Sequence, residues 1–149
     1  MSTQFINDKA AIYARLPHAG PMQLLDAVLS WNDDSIRCLT ASHVDDANPL
    51  HQGHSFSRMH LLEYAAQAIA VHGSLLDPDG PGKLVYIAAF RDVDLAPAPL
   101  PQITETLLDV RATQLAAMPD GSLYAFSVIS SSTVIAQGKA TVAIAGELP

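Results

Sequence analysis

The chain has 149 residues, enough for one domain with a real core, and 49% of them are apolar against 15% charged. A net charge of −7 with no basic run excludes the phosphate-neutralising surface that a nucleic-acid binder needs. The single cysteine, Cys38, excludes internal disulfides and cysteine-rich zinc sites, and so little charge on a chain of this size points to surface lost to a partner, most simply a second copy.

The first residues lack a basic stretch followed by an apolar one, so no signal peptide is expected and a cytoplasmic location follows by default. Residues 8–14 are weakly helical and Pro17 ends them. The run from Pro21 to Trp31 leads into the turn Asn32-Asp33-Asp34-Ser35. From Ser35 to Val44 the residues alternate, which reads as a strand paired with the preceding one and expects Cys38 to be buried and inert. Residues 45–49 are loop.

Residues 57–77 read as one nearly all-apolar helix, with Met59, Leu62, Ala66, Ile69, Ala70 and Gly73 at three-four spacing as one face. It is too interrupted to cross a membrane, because Glu63, Gln67 and His72 break it. Asp77-Pro78-Asp79-Gly80-Pro81-Gly82 ends it. Four strands are then expected: Lys83 to Asp92, Ile103 to Leu115, Leu123 to Ser130 and Thr133 to Ala145. A stiff Pro-rich connection spans 96–101, an Asp-Gly hairpin turn stands at 118–121 and a serine turn at 130–132. Two strands, a buried helix and four antiparallel strands make a single α+β domain over residues 1–149, with a curved antiparallel sheet wrapped around the helix.

Glu63 carries the functional interest of the helix. A carboxylate among apolar neighbours is costly unless it is paired, hydrogen-bonded or protonated, and His60 and Gln67, at i−3 and i+4, can form a polar ridge with it. Ahead of the helix, Asn48-Pro49-Leu50-His51-Gln52-Gly53-His54 brings two histidines to a helix N-terminus, where N–H groups and the macrodipole polarise a carbonyl or hold an anion. A His–carboxylate pair can do acid/base work, with histidine as base and Glu63 as acid. A metal site from His51, His54 and Glu63 is the weaker reading of the same residues, and loop polarity is the plain one. His18, in Leu16-Pro17-His18-Ala19-Gly20-Pro21-Met22, taken by itself is a surface histidine in a proline-bounded turn. No nucleophile elbow, phosphate loop or dinucleotide fingerprint is present.

Two stretches in this order, Leu16 to Met22 with Leu24-Leu25-Asp26, and Leu62-Glu63-Tyr64-Ala65-Ala66-Gln67-Ala68 on the helix, resemble the hotdog-fold 3-hydroxyacyl-acyl-carrier-protein dehydratases. The branch most similar is that of aryl-polyene and xanthomonadin-type pigment clusters. The resemblance implies a homodimer or a heterodimer with another hotdog protein, its two sheets joined edge to edge, and active sites at the subunit boundary. It implies loss of water from a 3-hydroxyacyl chain on the phosphopantetheine arm of an acyl carrier protein, giving a trans-2-enoyl thioester, with no metal and no diffusible cofactor. Glu63 matches the acid and Gln67 the glutamine that follows it. Gly53-His54-Ser55-Phe56-Ser57-Arg58 keeps only the Gly-His of the family's Gly-His-Phe-Pro-Gly segment, so His54 and His51 both stand as candidates for the base. Gln67, Tyr64, His60 and His18 are the candidate substrate contacts. Tyr64, Tyr86 and Phe90 are candidate tunnel walls, and Arg58, Lys83 and Arg91 a candidate carrier-protein patch. A non-catalytic hotdog subunit that stabilises an active partner, and a thioesterase, are the alternative readings.

Overall fold

The computed structural model describes residues 5–14, 16, 20–44, 58–77, 83–96 and 107–147. A single helical turn, α1 (Lys9–Ile12), comes first, capped by the Asp8 side chain. Strands β1 (Ala27–Trp31) and β2 (Ser35–Thr40) precede helix α2 (Leu61–Leu76), and β3 (Lys83–Leu95), β4 (Leu108–Met118), β5 (Gly121–Ser130) and β6 (Thr133–Glu147) follow it. The six strands form one sheet in the order β1-β2-β4-β5-β6-β3, antiparallel at every junction. This is the expected α+β arrangement: α2 packs on β2, β4, β5 and β6, inside the curve of the sheet.

Alternation decides which strand residues meet the helix. Ile36, Cys38 and Thr40 on β2, Val110 and Ala112 on β4, and Tyr124, Phe126 and Val128 on β5 are buried, while their neighbours along each strand are more open. Burial raises the Cys38 thiol to about 12, so it stays protonated and unreactive. The core-facing side of the helix is not the row at three-four spacing, of which Ile69 alone is buried. Leu61, Tyr64, Ala65, Ala68, Val71 and His72 are buried, whereas Met59 and Gly73 are exposed and Leu62, Ala66 and Ala70 only half-buried. Alanine and glycine fit either side of a helix, so the bulky Leu61, Tyr64 and Val71 decide which face goes inward.

The turns follow their local chemistry. Asn32 Oδ1 accepts the N–H groups of Asp34 at 2.8 Å and Ser35 at 2.9 Å, which reverses the chain between β1 and β2. Ser131 and Ser132 both take positive φ, 49° and 65°, the left-handed pair that a two-residue hairpin demands. At the β4–β5 turn Met118 pairs with Gly121 across Pro119-Asp120. Here glycine is required by space: a Cβ on Gly121 would lie 2.2 Å from the carbonyl oxygen of Val142 on the adjacent strand. Arg37 and Arg111 stand directly opposite each other on β2 and β4, and the Asp109 carboxylate between them reconciles the two like charges at 2.9 and 2.8 Å. Partial burial would raise the Asp109 carboxyl, but hydrogen bonds from Arg111 and Arg37 outweigh it and hold it below its usual range.

Strand β3 closes one side of the sheet. Tyr86 and Val93 are exposed on it, and a bulge between Arg91 and Asp94, with Asp92 at φ 52°, breaks its register with β6. Gly138 admits that bulge, since its Cβ position lies 3.1 Å from the carbonyl oxygen of Arg91 and 3.2 Å from Val93 Cα.

Candidate active site

A short 3-10 turn, Arg58–His60, leads into α2 and places Glu63 in the first helical turn. There the helix macrodipole favours a carboxylate. Glu63 is half-buried, on the less buried side of the helix with Leu62, Ala66 and Ala70 around it. Four residues on, Gln67 is buried and its Nε2 donates to Glu63 Oε1 at 3.1 Å. His60, one turn before Glu63, is half-buried.

Gln67 ties the helix to the front motif as well. Its Nε2 donates to the Met22 carbonyl at 2.9 Å, and its Oε1 accepts the Leu24 N–H at 3.2 Å and the Tyr13 hydroxyl at 2.6 Å. The Tyr13 hydroxyl in turn accepts the Leu25 N–H at 2.8 Å. Leu24 and Leu25 are fully buried, each contributing roughly 1.5–3 kcal/mol of transfer free energy. Gly20, at φ 55°, opens the 3-10 turn Gly20–Met22 that delivers them. The Leu-Leu-Asp end of the front motif is thus a docking device: leucines in the core, N–H groups satisfied by Gln67 and Tyr13, and Asp26 accepting the Ala41 N–H at 2.7 Å and pairing with Lys9 at 3.2 Å.

Tyr64 is fully buried, and its hydroxyl meets Ser42 Oγ at 2.9 Å, while Ser42 and Thr40 both donate to the Leu24 carbonyl. Phe90 stacks edge-on against Phe126 at 5.7 Å, and Tyr86 is half-exposed on β3. Arg91 is exposed. His18, His51 and His54 lie outside the described residues, as do the side chains of Arg58 and Lys83. The structure therefore brings together Glu63, Gln67 and the chain after Gly20. Among the described residues no three metal-ligating side chains converge. The sequence reading missed Tyr13 and Ser42. Neither lies in a recognised motif, and hydrogen bonds over 54 and 22 positions leave no local signal.

The chain matches the family described as ApeP-like, ApeP dehydratase, over residues 10–147. It belongs to that family. No curated protein matches it in sequence. Among solved structures it is similar to the dehydratase heterocomplex ApeI:P from Xenorhabdus doucetiae, with a TM-score of 0.74 and 20% identity over 89% of this chain and 90% of that one. It is also similar to a putative thioesterase from Silicibacter sp. TM1040, with a TM-score of 0.65 and 14% identity over 95% and 94% of the two chains. A hypothetical thioesterase from Streptococcus pneumoniae, solved with coenzyme A, gives 0.56 and 10% over 82% and 87%. These likenesses establish the hotdog fold. With the family match they make the chain a member of the hotdog dehydratases.

Proposed function

We propose that this chain dehydrates a 3-hydroxyacyl thioester, carried on the phosphopantetheine arm of an acyl carrier protein, to the trans-2-enoyl thioester in a fatty-acid-like or polyene-pigment pathway. Glu63 is the acid that protonates the departing hydroxyl, and His54 or His51 takes the C2 proton. No metal or diffusible cofactor takes part. The protein works as one of two hotdog protomers, the second being a copy or a different hotdog chain, with β3 of each joined edge to edge. The observation that carries this reading is Glu63 itself, a carboxylate in an apolar setting with one oxygen already held by Gln67.

Incubating the purified chain, alone and with a co-expressed hotdog partner, with a 3-hydroxyacyl thioester and following enoyl absorbance tests the proposal. Turnover is expected, and Glu63→Gln should lower it by roughly 10²–10⁴-fold. Equal inertness of the native and Glu63→Gln chains would count against it.

The likeness to a complex of two different hotdog proteins favours one further reading, a non-catalytic subunit that stabilises an active dehydratase. In that case Glu63→Gln in this chain leaves the activity of the copurified pair unchanged. Release of free thiol in place of enoyl product would instead support a thioesterase.

A further inference from the structure

The Gln67 amide uses its whole hydrogen-bonding capacity. Its oxygen accepts two donors, the Tyr13 hydroxyl at 2.6 Å and the Leu24 N–H at 3.2 Å, and its nitrogen faces two acceptors, the Met22 carbonyl at 2.9 Å and Glu63 Oε1 at 3.1 Å. Reversing the amide would set oxygen against a carbonyl and a carboxylate, and nitrogen against two donors. The shortest of the four contacts is that with Tyr13.

Tyr13 is itself fixed. Its side chain is buried, and its hydroxyl oxygen is occupied by the Leu25 N–H at 2.8 Å, which leaves its proton for Gln67. Burial pushes the phenol well above its ordinary value, so it remains a donor at any working pH. The residue is carried on the end of α1, and α1 is clamped to the front segment by Lys9, which donates to the Gln23 carbonyl at 2.5 Å and pairs with Asp26 at 3.2 Å. A short element outside the sheet thus reaches the helix carboxylate through one glutamine.

We propose that Tyr13 is a positioning residue for Glu63: its hydroxyl holds the Gln67 amide in the single orientation that presents Nε2 to the Glu63 carboxylate. This rests on the reading of Glu63 as the acid of a dehydration. A carboxylate held by a fixed donor keeps its other oxygen aimed at one place, and a displacement of about an ångström at such a group costs up to roughly a hundredfold in rate.

Tyr13→Phe removes the hydroxyl and keeps the ring. Well below the unfolding midpoint, its kcat should fall roughly ten- to a hundredfold, with KM held within about twofold. In nitrogen–proton NMR spectra the Gln67 side-chain amide protons should lose their slow exchange with solvent. Ile12→Val, at the adjacent core position, should lower the unfolding midpoint while leaving kcat and those amide protons as they were, which separates positioning from mere loss of stability. In a protein that turns over, either readout left unmoved by Tyr13→Phe overturns the proposal. If the unaltered chain produces no enoyl thioester, the dehydratase reading fails separately. The amide protons then decide: lost protection supports the link from Tyr13 to Gln67, and retained protection overturns it.

Discussion

His72 is fully buried near the end of α2, between the Asn32 carbonyl at 2.8 Å from Nε2 and the Tyr124 hydroxyl at 2.6 Å from Nδ1. A carbonyl can only accept, so Nε2 carries the proton and Nδ1 accepts from Tyr124. Both contacts suit the neutral ring. Burial depresses its affinity for a second proton below the ordinary 6.5, even though the Asn32 hydrogen bond and the nearby Asp34 and Asp33 oppose that shift. At pH values below 6.5 the unfolded chain therefore binds a proton that the folded one resists. The contribution of His72 to stability is complete above about 6.5 and shrinks as the pH falls through its lower folded value. Urea titrations at stepped pH should show the midpoint dropping below pH 6.5, and His72→Gln should flatten that drop. The sequence offered His72 only as an interruption of an apolar helix. Glu63, by contrast, was legible at once, because an acid among alanines and leucines on a helix needs a partner wherever that helix lies.

At the scale of elements, the positions of the strands along the chain and most turns follow from short-range rules that sequence exposes directly. Period-two alternation marks β2 and β5, and Asn32 makes its turn with its own side chain. The serine turn shows where those rules give a position but not an optimum. Ser131 and Ser132 adopt a left-handed backbone that L-residues enter at a cost of roughly 1 kcal/mol each. Replacing the pair with Asn-Gly should raise stability by about 1 kcal/mol, read as a higher thermal midpoint without change in the circular dichroism spectrum. Gly121 teaches the converse. The Asp-Gly dipeptide correctly signals a hairpin, yet this glycine is fixed by the backbone of β6, which arrives from more than twenty residues further along. The buried side of α2 is likewise set at a distance: apolar and small residues run all round the helix, and only packing against β2, β4, β5 and β6 selects the side that faces the core.

For the molecule as a whole, two features among the described residues bear on assembly: β3 is the last strand of the sheet, and the face of α2 around Glu63 is only half-buried. On the proposed assembly both are covered at once. Tyr86→Lys, which places a charge at the exposed edge strand, should then halve the mass measured by light scattering or abolish capture of a hotdog partner, while the circular dichroism of the chain stays as before. Alternation and turn chemistry by themselves determined the strand–helix–strand order, because these depend on near neighbours in the chain; the prominence of Glu63 followed from its apolar surroundings on the helix, and the hotdog class rested on the resemblance that the two motifs carry. Only the tertiary structure decided which face of α2 is buried, that Gln67 joins Glu63 to the segment after Gly20, and that Tyr13 stands behind both. The Gln67–Glu63 bond lies within one helix, but the bonds of Gln67 to Met22 and Tyr13 join positions 45 and 54 residues apart and exist only once the front segment has docked on the helix.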